Sequence, residues 1–406
     1  MAKVLWTQKQ DVGPSARAAH ALAYDAVRQR TVLFGGRAAG AVPQGDTWAW
    51  DGADWTQIAD TGPDPRGGHA ACFDAVRGRV LVFGGEAAGG ALRSDTWEWD
   101  GAFWTQAADT GPAARAGHTV VFDTARGRAV LFGGQTAGPA LNGDTWEWDG
   151  ALWTQVADTG PDPRSGHGAC FDAARGRVVV FGGEKAGPAR LDDTWEWDGT
   201  TWTQVADTGP APTRAPAMAF TGAAAILFGG VATTPTAAED VSRLSWEWDG
   251  DRWTLRQNMG PAARWGHALA FDPDRGAAVL LGGMSAPPSD PAAADSVLGD
   301  TWEAPFEKPA PEIPVIVSFT VTPNTVAANA VGQQPVTVQV VLDRPAPPGG
   351  AMIDISRDGN GVTLLIPAGE TSGSQPFSLD GPFVAGDIEI DGHLGNQFVG
   401  ALVHVA

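Results

Sequence analysis

Arginine and histidine recur together along the chain. An R-x-x-H step falls at Arg17/His20, Arg66/His69, Arg115/His118, Arg164/His167 and Arg264/His267. A further copy reads Arg214-Ala-Pro-Ala217 and lacks the histidine. The arginines stand 49, 49, 49, 50 and 50 residues apart. A guanidinium is a planar fork that fits a carboxylate, so six forks at equivalent positions could grip an acidic ligand. They could also pair with aspartates of their own or the next repeat, such as Asp95 or Asp144, and their regular repetition favours internal pairing. The five histidines invite a metal, but ligand nitrogens must lie about 2 Å from one ion. One histidine per repeat spreads them too far, so each is expected to hydrogen-bond within its own repeat. No metal or cofactor is expected.

The positions that differ between copies carry the other candidates. A Gly-Gly pair follows each R-x-x-H step, and the next residue is Arg37, Glu86, Gln135, Glu184, Val231 or Met284. Four copies have 11 residues between Gly-Gly and the first Trp, the fifth has 15 and the sixth 18. Trp265 is the only one of 18 tryptophans off the repeat grid. Binding one asymmetric ligand requires broken symmetry, and symmetry breaks most around 231–245, 255–265 and 284–299. An indole beside an arginine ring suits sugar stacking or a peptide anchor. The competing role for Trp265 is to fill space beneath the longer loops. The candidate ligand-binding set is therefore Arg17, Arg66, Arg115, Arg164, Arg214, Arg264, Trp265, Arg37, Glu86, Glu184 and Met284, with no catalytic residue assigned.

These residues must be positioned by strands. The segment GDTWAWDGADWTQIADTG at 45–62 returns at 94–111, 143–160 and 192–209. Each copy reads as four short strands: HAACFD, VLVFGG after an R-G-R turn, DTWEW, then WTQ after a D-G turn. D-G between β-rich runs is a hairpin signal. Trp48 and Trp50, two apart on a strand, share a face, and the tryptophans read as packing between repeats. Tyr24 stands where other copies have Phe73, Phe122, Phe171 and Phe271, so it reads as a core aromatic. Cys72 and Cys170 lie two repeats apart, beyond the roughly 7 Å Cα limit for a disulfide, and read as buried free thiols. The sixth copy lacks its closing WTQ, whereas the chain opens with Trp6-Thr7-Gln8. The first strand is expected to complete the last repeat, so removing residues 1–9 should lower the melting temperature strongly.

The Gly-Gly pair, the downstream W-x-W and the closing Trp resemble kelch repeats, in six copies over residues 1–304. The resemblance implies an all-β fold, a six-bladed kelch-type β-propeller closed by the N-terminal strand. A Pro-rich linker follows at 305–314. Residues 315–406 have no Trp and no Lys and show period-2 runs such as VTVQVVL. They read as a smaller β-sandwich, similar to bacterial immunoglobulin-like domains in LDRPAPPGG and IPAGETSG. Asp358-Gly-Asn-Gly361 reads as a hairpin turn rather than a calcium loop.

Composition narrows the function. Lys+Arg is 27 against Asp+Glu 47, a net charge of −20, which argues against a nucleic-acid binder. No run approaches the roughly 18 apolar residues of a membrane helix, and no signal peptide is visible at the start. G-x-S-x-G, H-E-x-x-H and a phosphate loop are absent. Among kelch-like enzymes, galactose-oxidase-like copper chemistry needs two Tyr, and this chain has one. The iron motif of plant specifier proteins is missing. Bacterial sialic-acid mutarotases rely on Arg and a carboxylate on the central face, which the arginines with Glu86, Glu184 or Glu239 could supply. The sequence therefore suggests a non-enzymatic binding scaffold for a protein or glycan, with a mutarotase-type sugar enzyme as the alternative. The acidic surface suits a secreted, surface or particle-associated bacterial protein.

Overall fold

The computed structural model describes residues 5–9, 12–187, 189–233, 239–256, 260–290, 293–306, 316–323, 325–326, 333–342, 351–357, 360–367, 370–380, 386–394 and 397–405. Two compact units divide the chain, Met1–Lys308 and Pro309–Ala406. The first contains, among the described residues, six four-stranded antiparallel sheets. Sheet one is built from Ala21–Asp25, Arg30–Phe34, Thr47–Trp50 and Trp55–Ala59. Sheets two to five repeat this order, starting at Ala70–Asp74, Thr119–Asp123, Gly168–Asp172 and Ala217–Phe220. Sheet six takes Ala268–Asp272, Ala277–Met284 and Val297–Pro305, and its outer strand is Thr7–Gln8 from the chain's start.

The sheets stand in a circle. The innermost strand of sheet one, Ala21–Asp25, packs against those of sheet two and sheet six. The unit is a β-propeller. Its closure is readable in side chains. Trp104 of sheet two donates its indole N–H to the Thr47 hydroxyl of sheet one at 2.9 Å, and Trp153, Trp202 and Trp253 repeat the bond one sheet on. Trp55 of sheet one reaches Thr301 of sheet six at 2.8 Å. Trp6 completes the series with Ser245 of sheet five and packs on Phe228 at 5.5 Å. Thr7 pairs with Glu303 and Gln8 with Trp302, so the last sheet has no unpaired outer edge there. Trp6→Ala removes half-buried aromatic surface and should cost about 2–3 kcal/mol, below the full-burial range. Urea unfolding checks this, and an unchanged midpoint would mean that the first strand does not hold the ring.

Two readings of the sequence need correcting. Two of the histidines bond across sheets, not within them: His69 of sheet two meets the Phe34 carbonyl of sheet one at 3.1 Å, and His167 meets Thr119 of the preceding sheet at 2.8 Å. Tyr24 is half-buried rather than core, and its hydroxyl donates to Asp274 of sheet six at 2.5 Å. It ties the sheets at the seam. Cys72 and Cys170 are buried and free, and burial pushes both thiols up.

The second unit holds two sheets among its described residues. One has three strands, Ile316–Thr322, Gln333–Leu342 and Ser372–Asp380. The other has five, in the order Thr325–Val326, Gln397–Val405, Gly386–Leu394, Ala351–Arg357, Asn360–Ile366. Val336, Val338, Val340, Ile353, Ile355 and Ile366 are buried, alternating along their strands as period 2 requires. Most of the 305–314 linker, and Asp358 and Gly359 of the expected turn, lie outside the described residues.

Candidate functional site

The arginine ring is largely structural. Arg17, Arg66, Arg115, Arg164 and Arg264 are each at most 1% exposed. Arg17 reaches both carboxylate oxygens of Asp46, at 2.6 and 2.9 Å, and also the Gly35 and Ser15 carbonyls. Asp95, Asp144, Asp193 and Asp300 receive the other four in the same way. Each aspartate also accepts the indole N–H of a tryptophan two residues on, such as Trp48 at 2.7 Å. Burial pushes these carboxyls up, but the arginine's hydrogen bonds and charge hold them below the usual value. Five of the six guanidiniums are thus consumed by internal pairs, and these arginines are removed from the ligand-binding set.

Arg214 is the exception, because the fifth repeat slips by one residue. Thr213, not Arg214, occupies the buried slot: its hydroxyl donates to the Ala211 carbonyl, as each arginine Nε does to the residue two before it. Thr213 stands 49 residues after Arg164 (213 − 164), which restores the repeat spacing. Leu244 replaces the aspartate, and its carbonyl accepts the Gly229 N–H as the Asp46 carbonyl accepts that of Gly35. Pro216 stands where the histidine would. Arg214 moves to the half-buried position that Trp265 holds in sheet six.

Six residues form the floor beneath this face. The N–H of Gly68 donates to Ala19, Gly117 to Gly68, Gly166 to Gly117, Ala215 to Gly166, Gly266 to Ala215 and Ala19 to Gly266, at 2.6–3.2 Å. The circle of backbone bonds is complete. All six lie in the left-handed region, φ 52–68°, which suits glycine and strains Ala19 and Ala215.

Above the floor, each residue after Gly-Gly bridges the residue preceding a floor residue: Arg37 with Ala18, Glu86 with Gly67, Gln135 with Ala116, Glu184 with Ser165, Val231 with Arg214, Met284 with Trp265. The side chains then link sheets. Glu184 pairs with Arg214 at 2.7 Å, and the Arg214 guanidinium lies over the Trp265 ring at 5.8 Å. Arg37 pairs with Glu86 at 3.2 Å, its stem passing over Gly67, where a Cβ would sit 2.8 Å from Arg37 Cγ. Between Trp265 and Arg37 lies a cavity of about 450 Å³ lined by Trp265, Met284, Arg37, Pro288, Val297 and Asp290, among others. A slightly larger hollow, about 510 Å³, lies over Glu86 and Gln135 but has no aromatic wall and no guanidinium.

The expected roles resolve on this geometry. Arg37, Trp265 and Met284 share one cavity, while Glu86 and Glu184 flank it through their arginines. Trp265 serves both roles weighed for it, since it walls the cavity and donates its indole N–H to Ala286 of the long loop at 2.7 Å. Glu239 is not among the residues that line the cavity; it pairs with Arg190 and accepts the Ser289 N–H at 2.9 Å. Sequence reasoning missed Asp290; its only signal was the 18-residue length of the stretch that carries it. Residues 234–238, 257–259 and 291–292, within the segments where symmetry breaks, lie outside the described residues. Among the described residues, no group of three or more His, Cys, Asp or Glu is placed to hold a metal ion.

Fold and face define a β-propeller with one asymmetric, loop-built end. The chain is similar to the solved "Structure of YjhT", with a TM-score of 0.57 and 15% identity, over 71% of this chain and 95% of that one. At that identity the likeness establishes the fold alone. YjhT is a sialic-acid mutarotase. The expectation of a non-enzymatic protein is corrected on this point: the neighbour is an enzyme, and nothing in the comparison favours a scaffold. No protein-family model and no curated protein matches the chain.

Proposed function

We propose that the chain is a sugar-binding enzyme of the mutarotase type, acting on an acidic reducing sugar in the cavity between sheets six and one. One observation carries the reading: Arg37, Trp265 and Asp290 are among the residues lining the same monosaccharide-sized hollow. Arg37 would exchange Glu86 for the sugar's carboxylate, and Trp265 would stack on the apolar face of the ring. Asp290 would take the proton from the anomeric hydroxyl while the bond from the anomeric carbon to the ring oxygen breaks. Water would protonate the ring oxygen, giving the open-chain carbonyl form. Closure on the opposite face reverses both transfers, so no atom is lost or gained. The Glu184–Arg214 pair would fix the orientation of Trp265.

The six sheets with their Gly-Gly and W-x-W pattern support six kelch-type blades. The two-sheet second unit supports an immunoglobulin-like spacer. The test follows the anomers of freshly dissolved N-acetylneuraminic acid, glucuronic acid and glucose by NMR. Wild type should accelerate exchange of the acidic sugars, and Asp290→Asn should lose roughly 10² or more of that acceleration. No acceleration of any sugar by wild type would overturn the reading.

A further inference from the structure

The slipped fifth repeat leaves a second site, unrelated to the sugar cavity. In the other five sheets a buried guanidinium donates to the carbonyl of the first glycine of Gly-Gly: Gly35, Gly84, Gly133, Gly182 and Gly282, at 2.9–3.1 Å. In sheet five the short Thr213 side chain replaces the arginine and Leu244 replaces its aspartate. A cavity of about 230 Å³ stands in their place, lined by Thr213, Gly229, Asp240, Ser242, Leu244 and Trp246, among others. Gly229 is the counterpart of those glycines: like Gly35, it faces the carbonyl of the next sheet's arginine and that sheet's histidine ring. Asp240, an exposed residue of the short strand Glu239–Val241, brings a carboxylate back to the lining.

We infer that this cavity binds a guanidinium group supplied from outside the chain. The backbone acceptor that serves a guanidinium in five sheets is retained in the sixth instance of the site. A carboxylate is again within the lining, now at the mouth instead of the wall. Leu227 and Leu244 offer the apolar surface that a weakly hydrated planar cation tolerates and a compact ammonium does not. The net charge of −20 favours cations in general. The guanidinium could belong to a small metabolite or to an arginine of a peptide.

Calorimetric titration of the full chain with methylguanidinium, methylammonium and the tripeptide Gly-Arg-Gly tests this. Saturable binding of methylguanidinium is expected, roughly fivefold tighter than methylammonium because the fork makes paired bonds. Tighter binding of the tripeptide would assign the site to peptide arginine, and weaker binding would assign it to small molecules. Thr213→Arg/Leu244→Asp installs the pair found in the other sheets and should abolish binding. Asp240→Asn should weaken it about tenfold, the loss of one charge-assisted hydrogen bond. Absence of saturable binding, no preference over methylammonium, or full binding by the folded, refilled variant would overturn the inference. Should the refilled variant not fold, equal affinities of Asp240→Asn and wild type would do the same.

Discussion

Lowering the pH from neutrality is expected to unfold the propeller well before its aspartates titrate. His20, His69, His118, His167 and His267 are all buried. Burial first, and the neighbouring arginine of the same R-x-x-H step second, push all five down: His69, His167 and His267 to about 3, His20 and His118 well below the ordinary value. In the unfolded chain they titrate near pH 6.5, so the unfolded state binds more protons through the window from about 6.5 to about 3. Their contribution is complete above that window and is lost as pH falls through it. Each histidine costs about 1.4 kcal/mol per pH unit, so five approach roughly 7 kcal/mol per unit. A domain stable by about 5–15 kcal/mol then unfolds near pH 4–5.5. The measurement is unfolding free energy from urea titrations at pH 7, 6 and 5.5, read by tryptophan emission. His118→Gln should reduce the slope by about a fifth. A flat profile would mean that the folded protein accepts these protons without opening. Asp46, Asp95, Asp144, Asp193 and Asp300, held below the usual carboxylate value, add a second loss only below about pH 3.8.

Asp95→Ala is expected to destabilise the propeller by about 3–5 kcal/mol, the cost of leaving a buried cation without its partner. Arg66 keeps its carbonyl acceptors at Asp64 and Gly84 but loses both bonds to the carboxylate, and it is fully buried. The double change Arg66→Thr/Asp95→Leu should recover most of that loss, because it removes both charges together. Sheet five already carries this solution in Thr213 and Leu244. The remaining penalty is the cavity such a pair leaves. A thermodynamic cycle over the four proteins should show a coupling of at least about 2 kcal/mol. Additive single and double effects would refute the view that each pair acts as a unit.

The sequence alone determined the repeat, its strands and its closure. Those features rest on local signals: alternating residues, D-G hairpins and a WTQ placed at the wrong end of the chain. Pairing of neighbouring strands in one sheet needs only residues close in sequence. The six arginines also pointed to aspartates, since identical surroundings in each copy imply identical partners. The slip in sheet five was hidden because Thr213-Arg214 places an arginine one residue from the expected slot, and the Thr213 hydroxyl bond to Ala211 and the Leu244–Gly229 backbone bond fix the register. The cross-sheet histidine bonds and the floor of Ala19, Gly68, Gly117, Gly166, Ala215 and Gly266 join residues of different repeats, and the floor closes between Ala19 and Gly266. The wall that brings Arg37 to Trp265 and Asp290 joins the two ends of the ring, far apart in sequence. Tertiary structure decided these, because they depend on how far each sheet turns relative to the next around the axis, and no residue type or spacing within one repeat encodes that angle.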